Sequence, residues 1–183
     1  NKIYYQAVNA CIMFLPTIHG KQLILVEDLV DKNGLLHPVQ KSMVKFHGSQ
    51  CGFCTPGFIM SLFSMFKNHS SFDSKIINNS IAGNLCRCTG YQPIINAAKN
   101  LNSKNKIDQF SITKNKTISL LKKINKKNNS LNINKINKKY FAPQTIKELK
   151  TLLKKYPRSK ILSGGTDLSL LVTKERKTIN SII

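Results

Sequence analysis

The sequence predicts a mixed α+β chain: a small helical bundle carrying two cysteine pairs, then a basic tract, then a shorter region of strands and helices. Three observations predict it. Cys51, Cys54, Cys86 and Cys88 form a Cys-x2-Cys pair and a Cys-x-Cys pair with 31 residues between them. Apolar residues recur at helical spacing around those pairs. Composition then changes at about residue 101 and again at about residue 140.

Taken in order, VNACIMFLP and QLILVED in the first thirty residues read as strands or strand ends. Pro38 suits the first position of a helix running to about His47, with His37 as its cap and Gly48 as its stop. Thr55-Pro56 opens a second helix, along which Phe58, Ile59, Leu62, Phe63 and Phe66 fall on one face as core. Ile76, Ile77 and Ile81 mark a third helix after Asp73, and Pro93 starts a fourth that runs through Ala98. Residues 101–139 are rich in Lys and Asn, with Asp108 their one acid, and read as a mobile linker with a weak helix near Ile118–Ile124. Beyond it, Tyr140 to Pro143 is extended and Thr145 caps a helix carrying Ile146, Leu149, Leu152 and Leu153. Ile161-Leu162 reads as a short strand and Ser163 to Asp167 as a tight turn. Leu168 to Val172 then starts a helix, and Thr178 to Ile183 ends the chain as a strand.

The net charge is +21, from 29 Lys+Arg against 8 Asp+Glu. Such a balance invites a nucleic-acid partner. Only Arg87, Arg158 and Arg176 are arginines, however, and Arg is the better bidentate reader of phosphates and bases. The abundance of Lys, Asn and Ile is what AT-rich coding produces, so no nucleic-acid partner is expected. No apolar run is long enough to span a bilayer, and the N-terminus lacks a basic leader, so neither a membrane nor a secretory address is expected. The first residue, Asn1, suggests a piece of a longer protein. Short cysteine spacings without a secretion signal favour metal binding in a reducing, cytoplasmic compartment over disulfides.

A [2Fe–2S] cluster needs four thiolates and compensation of its negative charge. Gly52 lets the Cys51–Cys54 loop fold tightly, the helix after Cys54 directs its positive end at the sulfurs, and Arg87 stands between Cys86 and Cys88. A four-thiolate zinc site is the rival. Spacing alone leaves the two equally open. His19, His37, His47 and His69 share no spacing and read as structural or solvent-facing. No arrangement suited to acid–base or nucleophilic catalysis is present, so no catalytic residue is assigned.

The strings GSQCGFCTPGFIMSLF (residues 48–63) and NLCRCTGYQPI (residues 84–94) break the tie, because they resemble the helical [2Fe–2S] domain of the molybdenum hydroxylases, the xanthine dehydrogenase and aldehyde oxidase family. The resemblance implies that Cys51, Cys54, Cys86 and Cys88 ligate the cluster nearest the molybdenum cofactor. It also implies that Gln50 contacts the pterin and that the surroundings of Cys88 touch it. Residues 1–30 resemble the end of the plant-type ferredoxin domain that precedes the helical one. Cys11 falls on that domain's fourth cysteine, whose three companions belong to an upstream loop. By itself Cys11 reads as a buried free thiol.

KILSGGTDLSLL (residues 160–171) is on its own an ordinary strand–turn–helix that can also bind phosphate. It resembles the flavin site of bacterial xanthine dehydrogenase small subunits, where such a string holds the FAD pyrophosphate. That assigns Leu162, Ser163, Gly164, Gly165, Thr166, Asp167 and Leu168 to FAD.

The resemblance therefore implies four segments: residues 1–30, a ferredoxin remnant; 31–100, the four-helix [2Fe–2S] domain; 101–139, a linker; and 140–183, the start of an α/β FAD-binding domain. It implies an electron-transfer subunit, most like the xanthine dehydrogenase small subunit and incomplete at both ends. Electrons would pass from molybdopterin on a large partner subunit, through [2Fe–2S], to FAD and then NAD. A zinc-stapled basic module, or a truncated fragment of the same family without a complete chain of centres, are the alternatives.

Overall fold

The structure, a computed structural model, describes residues 2–101, 107–127 and 130–183. It divides into two compact units, Asn1–Ala7 with Ile24–Ile118, and Val8–Leu23 with Ser119–Ile183.

The first unit is built on four helices, α1 (Pro38–Lys45), α2 (Thr55–Asn68), α3 (Ser74–Ile81) and α4 (Gln92–Lys99). Each starts where local chemistry favours it. His37 caps α1 through Nδ1, which accepts the Val39 N–H at 3.2 Å, while the Gln40 carboxamide accepts the His37 N–H at 2.9 Å. This reciprocal box satisfies two otherwise orphan donors. Asp73 caps α3 by accepting the Ile76 N–H at 2.8 Å. Helix α1 ends in a Schellman turn, in which the Gly48 N–H reaches the Met43 carbonyl and the His47 N–H the Val44 carbonyl. His47, not Gly48, takes the left-handed position, with φ of 54°.

The apolar faces meet in one core. Phe58, Leu62, Phe63 and Phe66 of α2 join Val39 and Met43 of α1, Ile77 of α3, and Ile94, Ala97 and Ala98 of α4, none more than 2% exposed. Burying each large side chain contributes about 1.5–3 kcal/mol before entropy is counted. The Phe stripe is thus core, as its spacing predicts. A hydrogen bond from Ser42 Oγ to the Ala97 carbonyl, 2.7 Å long, ties α1 to α4.

Two expectations for segments outside the four helices are corrected. Among the described residues no strand forms in VNACIMFLP or QLILVED; there are only 3-10 turns at Leu15–Ile18 and Glu27–Leu29. A strand needs a neighbour for its ladder, and neither stretch has one here. The tract read as a mobile linker carries α5 (Gln109–Ile112), α6 (Lys114–Lys127), which spans the helix expected near Ile118–Ile124, and β1 (Leu131–Lys135). Residues 102–106 and 128–129 of that tract lie outside the described residues. Two side chains explain its entry into the fold. Phe110 packs edge-on to Phe63, with ring centroids 5.1 Å apart. Asp108 is buried against Lys67 at 2.8 Å and His37 Nε2 at 3.1 Å, and accepts from Ser111.

In the second unit, β1 pairs antiparallel with β2 (Lys138–Ala142), and β2 pairs in parallel with β3 (Ser181–Ile182). Between β2 and β3 lie α7 (Ile146–Lys155), capped by Thr145, and α8 (Thr166–Thr173). The strand expected at Ile161-Leu162 is reduced to a bridge between Lys160 and Ile182, although the Leu162 N–H still bonds the Ile183 carbonyl at 2.8 Å. Phe141, stacked on Tyr156 at 4.9 Å, is buried with Ile182 and Ile183.

Candidate metal centre

The first cysteine pair sits on the turn between α1 and α2. Gly48 packs so tightly on Met43 that a Cβ there would meet its sulfur at 2.7 Å. Gly52, at φ of 87°, supplies the left-handed step that lets the Thr55 N–H bond back to the Gly52 carbonyl at 3.2 Å. Cys54 is then the N-cap of α2, and Ser49 and Thr55 close the turn through their hydroxyls at 2.6 Å.

The second pair lies between α3 and α4. Asn84 fixes it to α2: its Nδ2 donates to Ser61 Oγ at 2.7 Å, and its Oδ1 would lie only 2.8 Å from a Cβ on Gly57. Thr89 and Tyr91 fold the rest of the loop around Cys86. Thr89 Oγ1 is 3.1 Å from the Cys86 sulfur, and the Tyr91 hydroxyl accepts the Cys86 N–H at 3.0 Å.

These loops bring the four thiols together as two contacting pairs, Cys51 with Cys88 and Cys54 with Cys86. Cys86 is buried, Cys54 half-buried, and Cys51 and Cys88 exposed. The pairs are electrostatically asymmetric. Thr89, through its hydroxyl and its N–H, lowers the Cys86 thiol to about 7. Burial, followed by the hydrogen bond to Cys86, raises Cys54 to about 11. The Phe53 N–H lowers Cys51, and the hydrogen bond to Cys51 raises Cys88. Each pair thus holds one sulfur shifted down and one shifted up. Among the described residues no three His, Cys, Asp or Glu side chains converge on one point as ligands of a single ion.

Gln50 is exposed beside Cys51, and Arg87 is exposed between Cys86 and Cys88. Phe53 and Leu85, each next to a cysteine, are 95% and 84% exposed. Cys11 belongs to the second unit, in a turn where its N–H bonds Asn9 Oδ1 at 3.1 Å. It is exposed, which corrects the buried-thiol reading: the apolar residues around it form no strand that could enclose it. Thr89, Tyr91 and Asn84 are site residues that sequence reasoning missed. A hydroxyl three residues after a cysteine was the available signal for Thr89. Tyr91 gave none, because a left-handed tyrosine, at φ of 67°, is not readable from spacing.

Leu162 to Leu168 form the expected turn into α8, with Gly165 as N-cap at φ of 85°. Around Gly164 nothing lies within 4 Å of a would-be Cβ. Ser169 Oγ, buried one turn into α8, has no hydrogen-bond partner among the described residues.

Comparison with known proteins bears on the first unit. The family described as "[2Fe-2S] binding domain" matches residues 25–99. Xanthine dehydrogenase of Blastobotrys adeninivorans is 53% identical over 98 residues, 53% of this chain and 7% of that protein. Aldehyde oxidase 1 of Bos taurus is 45% identical over 98 residues, 54% of this chain and 7% of that protein. The chain thus spans a small part of the curated relatives it matches. The solved quinoline 2-oxidoreductase from Pseudomonas putida 86 aligns over 42% of this chain and 46% of that one, at 36% identity and a TM-score of 0.39.

Proposed function

We propose, on the premise that this chain belongs with the iron–sulfur portion of the molybdenum hydroxylases, that Cys51, Cys54, Cys86 and Cys88 hold a [2Fe–2S] cluster through which the helical unit relays single electrons. The observation that carries this reading is the pairing of the thiols. A dinuclear centre takes two thiolates per iron, and the chain offers two contacting pairs. A mononuclear zinc site takes four thiolates about one point. The donor set therefore fits the di-iron group, which Cys51, Cys54, Cys86 and Cys88 would hold. When bound, the cluster supplies one-electron chemistry; the chain supplies placement and charge compensation. The Phe53, Thr89 and Cys88 N–H groups and the Thr89 hydroxyl are donors to the sulfurs. The α2 N-terminus begins at Cys54.

The electron source is a molybdopterin-bearing partner, met by the exposed edge of the site. Gln50 would touch the pterin there, and Phe53 and Leu85 would lose their exposure. In the second unit, the turn at Leu162–Leu168 would receive the FAD pyrophosphate. The open space at Gly164 and the N-terminus of α8 support that placement, and NAD would be the final acceptor. Cys11 would serve an upstream cluster. No helix among the described residues is long and apolar enough to cross a membrane.

Iron, sulfide and zinc analysis of the chain purified without oxygen tests this. About two irons and two sulfides per chain, with a paramagnetic signal on reduction, are expected. Stoichiometric zinc without sulfide, or free alkylation of Cys51 and Cys86 after anaerobic reconstitution, would overturn it.

A further inference from the structure

The loop that carries the second cysteine pair closes on itself through side chains. Thr89 Oγ1 lies 3.1 Å from the Cys86 sulfur and accepts the Tyr91 N–H at 3.2 Å. One lone pair of that oxygen is therefore taken by an amide hydrogen, which turns the hydroxyl proton toward the oxygen's other neighbour, the sulfur. As a metal-bound thiolate, Cys86 has no proton to give, so Thr89 is the donor of this bond.

We propose that Thr89 raises the reduction potential of the centre by donating this hydrogen bond to the Cys86 sulfur, and that Tyr91 is the positioning residue that aims it. The inference rests on the iron–sulfur reading above. A reduced cluster carries one more negative charge than an oxidised one, spread in part onto its sulfurs. A donor held at a sulfur stabilises the reduced form more. Tyr91 is suited to hold that donor. Its backbone takes a left-handed conformation that a tyrosine seldom adopts, with φ of 67° just after Gly90 at 65°. That conformation places its N–H on Thr89 Oγ1 while its own hydroxyl reaches back to the Cys86 N–H at 3.0 Å. The ring stands edge-on to Phe58, 6.1 Å away, and Phe58 is fully buried in the core. The core thus fixes the ring, the ring fixes the loop, and the loop directs the hydroxyl. Valine has nearly the shape of threonine but no hydroxyl, so it removes the donor to the sulfur and, with it, the acceptor of the Tyr91 N–H.

The test uses the full chain, reconstituted with iron and sulfide, as wild type and as Thr89→Val, Thr89→Ala, Thr89→Ser and Tyr91→Phe. Dithionite with mediators supplies the one electron, and the reduced fraction is read from the paramagnetic signal. In T89V and T89A the reduced-to-oxidised ratio at a fixed potential should fall about tenfold, which is about 59 mV for a one-electron couple. T89S should stay within roughly twofold of wild type, and Y91F, which keeps the amide on Thr89, should shift less than T89V. A T89V chain with full iron and sulfide and an unchanged potential would overturn the inference alone. So would loss of the cluster from both T89V and T89A with retention in T89S, since Thr89 would then be an assembly requirement. Wild-type chain that takes up no iron and sulfide would instead overturn the iron–sulfur reading, and this inference with it.

Discussion

The Cys51–Cys54 turn and the glycine turn at Ser163–Gly165 share a plan: a left-handed glycine, at φ of 87° in one and 85° in the other, feeds the start of a helix. They differ in what holds them. Around the cysteines, Ser49, Ser61, Asn84, Thr89 and Tyr91 all spend side-chain hydrogen bonds on the two loops, and α2 buries seven residues behind them. Behind the glycine turn, α8 buries only Ser169, whose hydroxyl has no partner among the described residues. A turn becomes a specified site when neighbouring side chains are committed to fixing it. The cysteine loops meet that condition through the chain's own side chains.

The largest effect expected is at the sulfurs. Cys54→Ser should lower iron and sulfide content more than about tenfold, measured on anaerobically purified chain. Gly165→Ala, in the other turn, should leave both unchanged. Next is the anchor of the first unit. Burial alone would raise the Asp108 carboxyl, but hydrogen bonds from His37, Lys67 and Ser111 outweigh it and hold it far below the usual carboxylate range. Asp108→Asn strands a buried Lys67 and should cost about 3–5 kcal/mol in urea unfolding. Glu148→Gln, at a second-unit carboxylate that accepts from Ser130 and the Gln144 N–H, should move the same unfolding midpoint far less. The sign for Asp108 follows from its depressed value. Its contribution is present above the ordinary carboxylate pKa of about 3.9 and is lost only as pH falls toward the folded-state value.

Proton release distinguishes the site further. In metal-free chain, thiolate absorbance should include a rise near pH 7 from Cys86 and one near 11 from Cys54. Loading must expel the proton that Cys54 still holds at neutral pH, so loading should weaken as pH falls, and more steeply below about 7, where Cys86 also takes a proton. A Cys86→Ser chain should lose one thiol's worth of the absorbance that rises near pH 7. A loading profile flat between pH 6 and 8 would contradict the assignment, to the order of tenfold per proton and pH unit.

Much of the first unit was legible because its signals are local and repeated. Pro38, Pro56, Asp73 and Pro93 mark helix starts, and Phe58, Leu62 and Phe66 keep one face over two turns. The cysteine pairs were legible for the same reason. What escaped was long-range. Asp108 sits in a tract whose composition argues against burial, yet a single carboxylate and one aromatic suffice to dock it once Lys67 and Phe63 are in place. VNACIMFLP has strand propensity, but propensity is not realised without a ladder partner. Tyr91 is the hardest case, since its conformation depends on the core and on Gly90 rather than on its own preference.

The smallest effects concern the glycine turn and say whether it is specified or merely permitted. Gly165→Ala must place a Cβ at φ of 85°, 3.2 Å from Leu162 Cδ1 and 3.4 Å from Ser169 Oγ. The left-handed backbone alone costs about 1–2 kcal/mol. Ser169→Ala removes a buried hydroxyl that makes no bond among the described residues, so it should be neutral or stabilise by up to about 1 kcal/mol. Because the new Cβ and the serine oxygen are neighbours, the double variant should lose less than the sum of the two changes. Gly164→Ala, with open space around it, should change stability by less than about 0.5 kcal/mol. If that same silent substitution abolishes FAD binding by the folded chain, the turn is held for a ligand; if it leaves both stability and FAD titration untouched, the open space at Gly164 serves no flavin phosphate.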